Sequence, residues 1–148
     1  MTTGQTPFLT HSWPVYEASW RLPIMPMVNR EESALDNQGI GLWSCRLTDE
    51  SLTWSRAVYD LFGIPVEEKL TRSLATSIYL ADSRAAMESL RAYSIRHRRG
   101  FTMDARLRRP DGALRWMRLT AVPVLCERRV VRLTGTKQDV TAEYETQM

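Results

Sequence analysis

FTMDARLRRPDGALRWMRLTAVPV, residues 101–124, decides how this chain folds. Phe101, Met103, Ala105 and Leu107 alternate with Thr102, Asp104, Arg106 and Arg108, the period of two that marks a half-buried strand. In the following RPDGA (109–113), Pro110 presets the backbone for a turn and Asp111-Gly112 tolerates the bend. A second strand is expected over 114–125, apolar on both faces in places. After a tight corner at Cys126-Glu127-Arg128, a third is expected over 128–138. Strands joined by such short turns are antiparallel neighbours.

Upstream of this meander, a helix capped by Asp82 or Ser83 is expected to end at Gly100. Ala86, Met87, Leu90 and Tyr93 share its inward face, and Arg84, Glu88 and Arg91 lie away from it. Residues 66–81 read as loop with one or two helical turns. Before them, Ser55 caps a helix running to Phe62, stopped by Gly63 and Pro65. GIGLWSCRL (39–47) and SLTWS (51–55), joined by the turn Thr48-Asp49-Glu50, make a hairpin, preceded by a short helix from Arg30 to Asn37.

Four of the seven prolines (Pro7, Pro14, Pro23 and Pro26) fall in the first 26 residues, which read as an arm. Within it Trp13, Tyr16 and Trp20 recur at helical spacing, and such an aromatic face is expected to dock on the domain or on a second subunit. The chain thus divides into an arm (1–29), a core (30–138) and the start of a C-terminal helix (139–148). The core is an α+β domain: a five-stranded antiparallel sheet with short helices and one longer helix between strands 2 and 3.

At 148 residues with a net charge of +3 the chain fits one domain of ordinary composition. Its apolar runs fall short of a membrane span and its start is not a signal pattern, so a cytoplasmic place is expected. Lys69 and Lys137 are the only lysines; the other basic side chains are arginines, many of them between Arg91 and Arg132. That bias fits genomic base composition. Nucleic-acid binding would need aromatic interleaving or a recognisable motif, and neither is present. Cys45 and Cys126 lack metal-ligand spacing and read as two small buried or half-buried side chains. No clustered His/Asp/Ser or His/Cys set, and no phosphate-binding glycine loop, points to an enzyme.

Three stretches carry a resemblance. GIGLWSCRLTDESLTWSRAVYDLFGIP (39–65), FTMDARLRRPDGALRWMRLTAVPV (101–124) and RVVRLTGTKQDVTAEYE (129–145) resemble, in order, the first hairpin and helix, the third and fourth strands, and the last strand and exit linker of a large bacterial subgroup of PAS domains. The last of these corresponds to the PAC-type C-terminal motif. The family commonly ends in an Asp-Ile-Thr linker from which a signalling helix leaves. Here Asp139, Val140 and Thr141 stand in those places. Asp139 or Thr141 is expected to cap the helix, with Glu143 in its first turn. One departure is LADSR (80–84), where the subgroup usually reads His-Pro-Asp-Asp-Arg. Leu80 and Ala81 replace the first two residues, while Asp82 and Arg84 remain to supply a cap and a salt bridge.

Haem and flavin are not supported by the residues. His97 sits in RHRRG among positive neighbours, and Met87 and Met103 are better explained by packing. SCRL (44–47) echoes a light-sensing motif only superficially, because it falls on a strand. A small organic ligand remains open. Leu90, Tyr93, Phe101, Met103 and Leu107 would surround the cavity usual in the family, the alternative being that they fill it as core. Thr134, Thr136 and Gln138 share one face of the last strand; inward they would orient a polar ligand, and outward they would meet water.

The resemblance implies a sensory or regulatory module in signal transduction that acts by ligand- or partner-dependent association. Its partners would be a second copy or a kinase, cyclase or regulator, with no membrane contact. No effector segment follows Thr141 in the sequence, so the chain is either a stand-alone protein or one domain of a larger receptor, and the initial Met and the arm favour a natural N-terminus. The rival expectation is a ligand-free homodimerisation module built on the arm and the sheet face.

Overall fold

The alternation over 101–108 and the turn after it set the sheet. In the computed structural model, which describes residues 34–146, Phe101–Arg108 (β3) pairs antiparallel with Leu114–Cys126 (β4), Leu107 opposite Arg115. The turn between them closes with Gly112 N–H donating to Arg109 C=O at 2.8 Å and Ala113 N–H donating to Asp111 Oδ1 at 3.0 Å. β4 pairs with Arg129–Asp139 (β5) through a corner in which Glu127 and Arg128 both have positive φ, 52° and 70°, the handedness a two-residue hairpin turn requires. Ile40–Arg46 (β1) and Leu52–Trp54 (β2) complete a five-stranded antiparallel sheet in the order β2-β1-β5-β4-β3. The first and last strands in sequence are therefore neighbours at its centre.

The helices between β2 and β3 cover one face. Arg56–Phe62 (α1) ends at Gly63, left-handed at φ 72°, and buries Val58, Leu61 and Phe62. Its start is held from a distance: Asp36 Oδ1 accepts from Ala57 N–H at 3.2 Å and from the Ser55 hydroxyl at 3.4 Å. Ser55 itself forms no cap bond, because its Oγ accepts from Leu42 N–H in β1. Asp36 belongs to a helical turn at 34–37, within the short helix expected there.

The helical turns expected within 66–81 fall at Arg72–Ser77 (α2), whose N-cap Thr71 accepts from Leu74 N–H at 3.1 Å. The two boundaries of the next helix differ from expectation. The long helix is Ala81–His97 (α3), with Leu80 at the N-cap position and no side-chain cap. Leu80 extends because its N–H bonds Arg106 C=O in β3. Asp82 and Ser83 therefore fall inside the first turn, where Ser83 Oγ accepts from Arg106 N–H and Asp82 lies 4.0 Å from the Arg106 guanidinium. The helix stops at Arg98, left-handed at φ 57°, before Gly100 is reached.

The core lies between the helices and the inner sheet face. Phe101, Met103, Ala105 and Leu107 all point into it, with Met117, Leu119, Trp43 and Leu133 from the other strands. Each fully buried aliphatic or aromatic side chain contributes about 1.5–3 kcal/mol. Gly135 on β5 has a packing reason. The Trp43 indole N–H crosses β5 to donate to Thr120 C=O at 3.0 Å, and a Cβ at Gly135 would fall 2.0 Å from that oxygen. The arm with Trp13, Tyr16 and Trp20 lies outside the described residues. No helix among those described is long and apolar enough to cross a membrane.

Candidate functional site: an inner cavity and an exit segment

Strand alternation on β5 turns Leu133, Gly135 and Lys137 inward and Thr134, Thr136 and Gln138 to the other face. This decides the question left open by the sequence. Thr136 bonds the Thr120 hydroxyl at 2.7 Å and Thr134 donates to Trp43 C=O at 2.8 Å, both away from the core. The inward polar residue is Lys137, only 6% exposed.

A cavity of about 50 Å³ opens beside Lys137, between β1, β5 and helices α2 and α3. Trp43, Cys45, Tyr79, Met87, Phe101 and Leu119 form much of its apolar wall. Arg72 and Arg91 supply its other cationic groups. Arg72 is held from behind by Glu88, with Nη1 donating to Oε2 at 3.0 Å and Nη2 to Oε1. Arg91 lies 3.4 Å from Glu50. Lys137 has no such carboxylate among the described residues. Its Nζ instead lies 5.1 Å from the Trp43 ring centre, 5.4 Å from Trp54, 4.8 Å from Phe62 and 6.0 Å from Tyr79, distances at which ring faces attract a cation. Burial pushes the Lys137 ammonium down to about 7, with Arg72 adding to the effect. Burial also raises the Tyr79 hydroxyl and the Cys45 thiol, so both stay protonated at neutral pH.

Of the side chains read from sequence as cavity lining, Phe101 is on this wall, while Leu90, Met103 and Leu107 are buried beyond it. Tyr93 is placed elsewhere. It is 41% exposed and rests on His97, ring centres 4.1 Å apart, because its position on α3 turns it past the edge of the buried face. Sequence reading missed Lys137, Arg72 and Arg91. The parity of Leu133 on β5 was an available signal for Lys137, but a lysine inside a core is rare enough to argue against that face.

The other end of β5 carries the exit segment. Asp139 Oδ1 accepts from Thr141 N–H at 2.9 Å, and the Thr141 hydroxyl accepts from Trp116 N–H at 2.9 Å. Val140, buried, is the N-cap residue of the short helix Thr141–Glu145 (α4), which has no side-chain cap of the usual kind. Thr141 cannot supply one because its hydroxyl is turned to β4. α4 lies against the sheet face opposite the cavity. Tyr144 stacks on Trp116 at 3.9 Å and 5°, and its hydroxyl donates to Asp104. Asp104 is 2% exposed and accepts two bonds from Arg118, at 2.8 and 3.0 Å. Arg118 also reaches Glu143 of α4 at 3.3 Å. Lys137 and Asp139 are thus two residues apart on one strand, and tie the cavity to α4.

Comparison with known proteins agrees with this architecture. A family model described as the PAS fold, PAS_3, matches residues 51–137. The probable diguanylate cyclase DgcE of Escherichia coli (strain K12) is 28% identical over 116 residues, 78% of this chain and 10% of the cyclase. The chain therefore spans about a tenth of that relative's length. Among solved structures, a sensory box histidine kinase/response regulator from Burkholderia thailandensis E264 superposes with a TM-score of 0.68 at 20% identity, over 80% of this chain and 90% of that one. The N-terminal domain of a diguanylate cyclase with PAS/PAC sensor from Marinobacter aquaeolei gives 0.65 at 15% identity, over 71% and 98%. Identities this low carry the fold alone.

Proposed function

This chain belongs to the PAS family, and on that premise we propose that it works as a cytoplasmic sensory module whose inner cavity takes a small ligand and whose exit segment reports the occupancy. The observation that carries this reading is the shared strand. β5 walls the cavity with Leu133 and Lys137, and two residues later becomes the Asp139-Val140-Thr141 linker clamped to β4. A helix of five residues is too short to persist unaided, so α4 depends on its contacts with Trp116, Asp104 and Arg118. A small displacement of β5 changes the geometry at Asp139 and shifts α4 between a clamped and a released position, the two-state element a switch needs. The released helix would act on a second copy or on a kinase- or cyclase-type partner.

The test is the mass of the purified protein under native and under denaturing conditions, with an absorption spectrum of the same sample. A native-only mass excess is expected. A ligand-free mass accompanied by a stable dimer would replace this reading with the dimerisation module. In that case deleting residues 1–28 should convert dimer to monomer on a sizing column, and an unchanged mass would remove the arm from the account.

A further inference from the structure

We infer that the cavity is an anion site, in which the Lys137 ammonium receives the carboxylate of a short-chain organic acid whose apolar end rests on Phe101, Met87 and Leu119. The inference rests on the preceding reading that the cavity holds a ligand, and adds its chemical class.

Three features lead to it. First, the charged side chains on the wall are all cationic: Lys137, Arg72 and Arg91. Glu88 and Glu50, which pair with the arginines, are not on the wall. Second, Lys137 alone of the three lacks a carboxylate partner among the described residues, although it is 6% exposed. A buried ammonium is costly unless paired, and four ring faces offset only part of that cost. A ligand carboxylate would complete the site. Third, size limits the occupant. A cavity of about 150 Å³ holds the six carbons of benzene, whereas this one is about 50 Å³, so the acid has no more than about one or two carbons, as acetate does.

The groups facing Lys137 make the site sensitive to pH near neutrality. Cys45 of β1 and Tyr79, between α2 and α3, stay protonated, and the other charged groups on the wall are Arg72 of α2 and Arg91 of α3. Phe62 of α1, Phe101 of β3 and Leu119 of β4 do not titrate. Lys137, poised at about 7 by its burial, is therefore the group whose charge changes there. A carboxylate binds the charged form, so binding takes up a proton above that pH.

The experiment is calorimetric or fluorescence titration of the whole protein with acetate and, separately, with its neutral isostere acetamide, between pH 6.5 and 9. Acetate remains ionised throughout. We expect saturable acetate binding at pH 6.5, an affinity falling about tenfold for each pH unit above 7, and acetamide at least about tenfold weaker. Lys137→Met should remove the preference for the acid, and the wild-type pH series gives the same information should that variant fail to fold. A pH-independent acetate affinity, equal binding of acetamide, or an uncharged copurified molecule would overturn the anion assignment and leave the ligand-sensing reading standing. Binding of neither probe, with a ligand-free native mass, would overturn both.

Discussion

Lys137 is the residue on which most of this account turns, and its burial has a measurable cost. Its pKa falls from about 10.4 in an unfolded chain to about 7 in the fold. Between those values the unfolded chain holds a proton that the folded one does not, so this group makes stability rise with pH, by at most about 1.4 kcal/mol per unit. Below 7 both states are protonated and the penalty is complete. Lys137→Met should therefore be more stable than the wild type at pH 6.5, by about 1–4 kcal/mol. The gap should narrow as pH rises from 7 toward 10, read by urea unfolding at each pH. A gap that stays constant would mean that Lys137 is not a buried titrating group. Gly135 offers a second check at this scale. Gly135→Ala puts a methyl against Thr120 C=O and obstructs the Trp43 indole, so a loss of about 1–3 kcal/mol is expected in the same assay, with a change in tryptophan emission. Neither role was legible beforehand: a lysine argues against an inward face, and a strand glycine shows no sign of the indole that crosses it.

At the scale of elements, local signals read well where one physical cause dominated. The alternation from Phe101 to Arg108 and the Pro110-Asp111-Gly112 turn predict β3 and its hairpin, and Gly63 predicts the end of α1; the structure has all three. Cap assignments failed where a tertiary bond outweighed a local preference. Leu80 took the N-cap position of α3 because Arg106 C=O holds its N–H, and Asp36, distant in sequence, supplied the side-chain acceptor at the start of α1. The exit segment was legible as Asp-Val-Thr, but its anchor was not, since Asp104, Arg118 and Tyr144 meet only through the register of β3, β4 and α4. Two substitutions separate anchor from core. Tyr144→Phe keeps the stack on Trp116 but loses the bond to Asp104. Hydrogen exchange over 141–145 should quicken by about fivefold, the equivalent of about 1 kcal/mol, with the urea midpoint nearly unmoved. Arg118→Leu leaves the Asp104 carboxylate buried without its guanidinium and should cost about 3–5 kcal/mol globally. An unaltered exchange rate in the first variant would show that the bond to Asp104 does not hold α4.

The whole molecule places a cationic cavity on one face of a sheet and a clamped helix on the other, with β5 belonging to both. The α+β class and the order of elements followed from period and turn chemistry, because those are properties of neighbouring residues, and the particular fold from the family resemblance. The chemistry of the cavity did not, because it arises from side chains of β1, α2, α3 and β5 brought together only by the sheet order. Coupling between the faces is the central claim, and hydrogen exchange of the amides over 139–146, with and without saturating acetate at pH 6.5, tests it most directly. The account predicts that occupancy changes protection of α4 by severalfold, while amides in the middle of β3 exchange as before. Identical exchange throughout the exit segment, with the cavity demonstrably filled, would contradict it.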